Sequence, residues 1–163
     1  MKELYYHKFD LAKHTYILAA TEKGLAFVGS MDQSIDELEA FYPQVSLVDD
    51  IASVEKYFRQ ISEYLNGQRK NFSIKLDISG TDFQEAVWQQ LQKIPYGEVK
   101  NYTQIAEAIG QPKAYRAVGS AIGKNPVLMV IPCHRVVTKE GNLGGYRGGL
   151  KMKQELLALE KNS

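Results

Sequence analysis

The sequence predicts a small α/β unit, a sheet with helices, followed by a mostly α-helical unit carrying a helix-turn-helix. Three observations carry this reading. Short apolar blocks between turn residues fill residues 1–79. From residue 80 the apolar spacing becomes helical and stays so for about 45 residues. The small, polar run Ser79-Gly80-Thr81 lies between them, so the expected domains are 1–79 and 80–163.

In the first part, Ile17-Leu18-Ala19-Ala20 and Gly24-Leu25-Ala26-Phe27-Val28 flank Thr21-Glu22-Lys23 and read as a hairpin. Ser34 with Glu37 three residues on is a capping-box pattern, opening a short helix that ends before Pro43. Ile51, Val54, Phe58, Ile61 and Leu65 fall on one helical face, and Asn66-Gly67 is its stop. Ile74, Leu76 and Ile78 alternate as a strand does. No residue before 79 has an evident chemical role.

In the second part, Thr81 and Gln84 form another capping-box pattern, and Phe83, Val87, Trp88 and Leu91 make an apolar face that Pro95-Tyr96-Gly97 ends. A short helix is expected from about Thr103 to Ile109, with Ile105, Ala106 and Ile109 inward. After the turn at Gly110-Gln111, Pro112 is expected to open a third helix running to about Lys124. Helix, tight turn, helix is the helix-turn-helix arrangement. On the third helix Arg116, Gly119, Ser120 and Gly123 share a stripe with one long cation and little other side chain. Glycine inside a helix costs about 1 kcal/mol relative to alanine, so the stripe needs a reason. Close helix packing is one; close approach to a nucleic acid, with Arg116 projecting, is the other.

Composition narrows the class. The chain has 163 residues, 44% of them hydrophobic and 24% charged, enough to bury a core without staples. The apolar run Val127–Ile131 is far too short to span a bilayer. Met1-Lys2-Glu3-Leu4-Tyr5 lacks the apolar centre of a signal peptide. A single cysteine, Cys133, permits no internal disulfide, and three histidines make a Cys/His zinc site improbable. A cytoplasmic location without metal or membrane is therefore expected. The net charge of +1 conceals an imbalance: residues 1–80 carry 9 Lys/Arg and 12 Asp/Glu, residues 81–163 carry 11 and 7. Ordinary scatter and a polyanionic partner for the second half explain this equally.

A lone cysteine beside an apolar strand is by default a core residue. Here Val127–Ile131 reads as a buried strand, Pro132 breaks it, and His134 and Arg135 follow Cys133 as sources of positive potential that favour thiolate. Neighbours on an extended chain point apart, so His134 reaches the sulfur only through a local turn or a bridging water.

At this point a resemblance emerges. The motifs are Gly97-Glu98-Val99, Tyr102, Pro112-Lys113-Ala114, Arg116-Ala117-Val118-Gly119, Asn125-Pro126, Ile131-Pro132-Cys133-His134-Arg135-Val136-Val137, Gly144, Tyr146 and Gly148-Gly149. Together they closely resemble the O6-alkylguanine-DNA alkyltransferases. The match spans residues 81–160 nearly without gaps; residues 1–80 fit the family's variable N-terminal α/β domain in outline. The resemblance implies a winged-helix-like second domain and transfer of an alkyl group from O6-alkylguanine, and from O4-methylthymine, in a flipped-out base. It implies Cys133 as acceptor, used once, and His134 as its base through a water. Glu160 orients His134, Asn125 holds the turn, and Tyr102 bonds the base. It places Arg116 as the wedge in a minor-groove complex with double-stranded DNA. Ala114, Tyr115, Ala117, Gly119, Ser120, Gly123 and Arg135 lie around it on the DNA side. Val136, Tyr146, Arg147, Gly148 and Leu128 line the base pocket. No cofactor and no metal are implied, and a monomer is expected. Leu128, Tyr115 and Arg147 depart from residues common in the family, and Arg147 brings bulk to the pocket.

Other classes fit less well. A Cys–His hydrolase needs a direct His–sulfur contact and an oxyanion hole. A non-catalytic lesion sensor needs no cysteine. An operator-reading transcription factor needs several long polar side chains on the bare helix face.

Overall fold

The computed structural model describes residues 3–162 and divides the chain into two compact units, 1–78 and 79–163. The first holds a four-stranded sheet in the order β3-β2-β1-β4, with β1 Glu3–Leu11, β2 His14–Ala20, β3 Leu25–Val28 and β4 Ser46–Asp49. β1 and β2 form a hairpin in which Leu11 pairs with His14, and β4 lies parallel to β1. The β2–β3 hairpin agrees with the sequence reading; β1 was not expected. Its turn is Ala12-Lys13, with Ala12 at φ 55°. Two-residue hairpins favour Asn or Gly there, so the turn left no mark in the sequence.

Two helices complete this unit, α1 Ile35–Phe41 and α2 Ile51–Leu65. Ser34 caps α1 through the Asp36 N–H, but Glu37 turns away to accept from the backbone and hydroxyl of Ser30. The expected capping box is therefore half-made. On α2 the buried residues are Val54, Tyr57, Ile61 and Tyr64, while Ile51 is exposed. The aliphatic pattern is thus rotated slightly towards two tyrosines, whose apolar rings bury more area. The segment around Leu76 makes only a single bridge to Leu25, through the Leu25 N–H to Lys75 and the Asp77 N–H to Leu25. The strand expected over 74–78 does not form beyond that bridge.

The second unit contains α3 Asp82–Leu91, β5 Lys100–Asn101, α4 Tyr102–Ala108, α5 Tyr115–Gly123, β6 Val136–Val137 and α6 Leu150–Lys161. Thr81 and Gln84 do form a capping box on α3. A second box, Asn101 with Gln104, opens α4 one residue earlier than expected. Helices α4 and α5 are the helix-turn-helix. Gly110, at φ 77°, makes the turn, and Pro112 lies in it rather than opening α5. The Trp88 indole N–H donates to the Ala121 carbonyl at 2.9 Å, fixing α3 to the inner face of α5, where Val118, Ala121 and Ile122 are buried. Among the described residues, no helix is long and apolar enough to cross a membrane.

Candidate active site

The segment after α5 is built by turns, not by the strand expected over Val127–Ile131. Met129 takes φ 70°, the Ile131 N–H donates to Val127, and the Cys133 N–H donates to Ile131. Asn125 organises these turns. Its Oδ1 accepts from the Val127 N–H at 2.9 Å, and its Nδ2 reaches both the Ile131 carbonyl at 3.0 Å and Cys133 Sγ at 3.3 Å. Cys133 then begins a 3-10 turn, Cys133–Arg135, which runs into β6. β6 pairs in parallel with β5, Lys100 with Val136 and Asn101 with Val137. That short pairing brings the start of α4, and so Tyr102, to the segment that follows the cysteine.

His134 and Arg135 both turn towards α6. His134 Nε2 lies 2.7 Å from Glu160 Oε2, with both side chains buried. Arg135 grips the same carboxylate with two nitrogens, each at 2.9 Å, and donates to the Ile94 carbonyl at 2.6 Å. The Gly97 N–H adds a donor to Glu160 Oε1 at 3.2 Å. Arg135 is only 6% exposed. It was expected at the DNA surface; the structure instead places its guanidinium inside, where an otherwise uncompensated buried carboxylate demands a partner.

One functional-looking residue escaped the sequence reading. Lys153 on α6 is fully buried, and its Nζ donates to the carbonyls of Val136 at 2.7 Å, Gly145 at 3.1 Å and Leu143. It pins the loop 143–145 beside the cysteine turn. A lysine on a terminal helix otherwise reads as a solvated charge, so only the inward side of α6, with Met152, Leu156 and Glu160, could have revealed it.

A cleft of about 840 Å³ opens here, and Cys133, Asn125 and His134 do not belong to its lining. Its walls include Tyr102 from α4, Tyr115, Arg116, Gly119 and Gly123 from α5, and Gly145, Tyr146 and Arg147 from the loop before α6. Gly144 sits at φ 70°, and a Cβ there would come within 2.8 Å of the Tyr102 hydroxyl, so only glycine lets the loop close on that ring. The Arg147 Nε donates to the Asn125 carbonyl at 3.1 Å, which ties the cleft wall to the residue that holds the sulfur.

Electrostatics revise one expectation. Burial pushes the Cys133 thiol up, and the groups that oppose this are Asn125, Arg147 and Lys153, not its sequence neighbours. Burial likewise pushes His134 down, against the pull of Glu160 and with help from Arg135 and Lys153. Tyr102 is raised by burial and by the charge of a Cys133 thiolate. Both shifts favour the uncharged forms, thiol and imidazole. The positive field expected from His134 and Arg135 is not among the influences that lower the thiol; burial disfavours charge on His134, and Arg135 is paired with Glu160.

The remaining sequence-selected residues fall into two groups. Arg116, Tyr115, Ala117, Ser120 and Gly123 are exposed on α5, while Ala114 and Gly119 are half-buried. A Cβ at Gly123 would meet nothing within 4 Å, and one at Gly119 only the Tyr102 ring at 3.8 Å or more. Helix packing is thus not the reason for the glycines. Tyr146 and Arg147 line the cleft. Leu128 and Val136 are instead fully buried, and neither they nor Gly148 belong to its lining. A Cβ at Gly148 would strike the Met152 sulfur and the Tyr146 ring, so packing explains this glycine. Among the described residues, no group of three His, Cys, Asp or Glu could hold a metal ion.

Fold and site together define a two-unit protein in which a helix-turn-helix flanks a cleft beside a buried, histidine-adjacent thiol. Models of known families agree. Residues 4–78 match the ribonuclease-like domain of 6-O-methylguanine DNA methyltransferase, and residues 82–162 match its DNA binding domain. The chain belongs to the 6-O-methylguanine DNA methyltransferase family. It is 48% identical to the inducible methylated-DNA–protein-cysteine methyltransferase of Bacillus subtilis, over 98% of this chain and 92% of the relative. It is 40% identical to the methylated-DNA–protein-cysteine methyltransferase of Methanosarcina barkeri, over 98% and 99%. Mycobacterium tuberculosis OGT, in a crystal structure with DNA, superposes with a TM-score of 0.84 at 36% identity, covering 97% of this chain and 93% of that one.

Proposed function

We propose that this protein repairs DNA by direct reversal, transferring the methyl or other alkyl group from O6-alkylguanine, and from O4-methylthymine, to Cys133. The observation that carries this reading is a buried thiol held by Asn125, next to the buried His134–Glu160 pair and a cleft bordered by Tyr102 and the bare face of α5. Names borne by relatives across nearly the whole chain support it.

A base inside a duplex hides its O6, so it must leave the stack to meet the thiol. Entry from the minor groove suits a helix face whose one long projecting side chain on its glycine stripe is Arg116, the wedge that fills the vacated place. In the cleft Tyr102 bonds the base ring, and the loop of Tyr146 and Arg147 forms the facing wall. Glu160 accepts from His134 Nε2, so the basic lone pair is on Nδ1. His134 takes the thiol proton through a water. The S–C bond forms as the O6–C bond breaks, and that electron pair passes into the guanine, which Tyr102 protonates. Solvent then exchanges the proton gained by His134 for the one lost by Tyr102. A soft sulfur nucleophile suits displacement at a saturated carbon. The thioether product offers water no good leaving group, so each chain acts once. The reading needs no cofactor and takes the protein as a monomer in the cytoplasm.

Intact-protein mass spectrometry with excess duplex carrying one O6-methylguanine tests this. The expected result is a gain of one CH2 per chain, mapped to Cys133 and absent in Cys133→Ser. No gain with retained lesion binding would make the protein a sensor; no gain and no binding would remove DNA repair altogether.

A further inference from the structure

Glu160 is positioned to do two opposed things. By hydrogen-bonding His134 Nε2 it orients the ring, yet a bare carboxylate 2.7 Å away in a dry interior would also hold that ring as imidazolium. An imidazolium cannot accept the thiol proton. The structure contains the remedy one residue along: the Arg135 guanidinium lies bidentate on the same carboxylate, anchored by the Ile94 carbonyl and with its Cζ over the Tyr96 ring, 5.7 Å from the ring centre. We propose that Arg135 is a positioning residue which neutralises Glu160, so that Glu160 orients His134 while leaving it a proton acceptor. This rests on the function proposed above, and it extends that function to what sets the pH range of transfer.

Among the described residues, Glu160 and Lys153 face this site from α6 and Cys133 and Arg135 from the cysteine turn, while the segment 94–97 contributes the Tyr96 ring, the Ile94 carbonyl and the Gly97 N–H. Burial comes first in opposing the charged ring; Glu160 favours it, and Arg135 and Lys153 add to the opposition. Arg135 touches the carboxylate itself, whereas Lys153 donates to the carbonyls of Val136 in β6 and of Leu143 and Gly145 in the loop.

The test is the pH dependence of single-turnover methyl transfer from O6-methylguanine duplex. In Arg135→Met the acid limb should move up by about one pH unit or more, a roughly tenfold loss of rate on the acid side. In the double variant Arg135→Met/Glu160→Gln the limb should return towards its wild-type pH, because no uncompensated carboxylate remains. A purely structural arginine would lower melting temperature and rate without moving the limb, and that result overturns the proposal. Should Arg135→Met fail to fold, carbon-13 NMR titration of His134 in the wild-type protein and in Arg135→Gln, which keeps a hydrogen-bond donor to Glu160, decides. A ring neutral and protonated at Nε2 at pH 7 in the wild type, titrating at higher pH in Arg135→Gln, is expected; the same titration in both, or imidazolium at pH 7 in the wild type, overturns it. If the wild-type protein transfers no methyl group, the proposed function falls on its own account, and the NMR titration still judges Arg135.

Discussion

Lys153 shows how strongly one residue can depend on its surroundings. Burial pushes its ammonium down to about 8 from an ordinary 10.5. Between those values the unfolded chain binds more protons than the native one, so stability should rise as pH climbs from 8 towards 10.5. Urea unfolding at several pH values checks this, with the slope lost in Lys153→Met. That variant also removes the donor shared by Val136, Leu143 and Gly145, and should slow transfer to Cys133 by loosening the loop. An unchanged slope would mean the ammonium is fully solvated or fully compensated. Cys133, His134, Asn125 and Glu160 could be singled out in the sequence through their motif, but the partners of Arg135 and the burial of Lys153 could not. Lys153 sits among charges that look like a surface, and the resemblance places Arg135 on the DNA side.

At the level of elements, α5 is a helix weakened on its outer side. Gly119 lies mid-helix, and a Cβ there would make only ordinary contact with Tyr102. Gly119→Ala should therefore stabilise the protein by about 1 kcal/mol. It should also lower affinity for duplex DNA, since the added methyl stands on the face proposed to approach it. Thermal unfolding and a DNA titration read the two effects separately, and unchanged DNA affinity would detach the glycine from binding. The Thr81–Gln84 capping box, the helix-turn-helix and the β2–β3 hairpin were legible because they are local patterns of hydrogen bonding and apolar period. The β1–β2 turn at Ala12-Lys13 and the two-residue pairing of β5 with β6 were not. Pairing of distant strands depends on which chains meet, and a two-residue strand has no period to read.

For the molecule as a whole, charge is divided between the units, with the excess of Lys/Arg after residue 80. The proposed DNA complex should weaken with salt, with log K falling by about 0.9 per phosphate contacted for each unit of log salt. Arg116→Ala should lower affinity and, if Arg116 enters the stack rather than meeting a phosphate, leave that slope unchanged. Fluorescence anisotropy over a salt series separates these outcomes; a slope near zero for the wild-type protein would place binding outside an electrostatic mode.

By itself the sequence determined the two-part organisation, the helix-turn-helix, the glycine face and the identity of the cysteine motif. Each of these is a matter of local spacing or of residue types in fixed order. Tertiary structure alone decided the charge states within the site. It buried Cys133 and His134, which favours their neutral forms, turned Arg135 inward onto Glu160, and brought Lys153 into the support of the loop. The physical reason is that the free energy of a charge depends on what surrounds it in space, and α6, which supplies Glu160 and Lys153, reaches the cysteine only when the chain has folded.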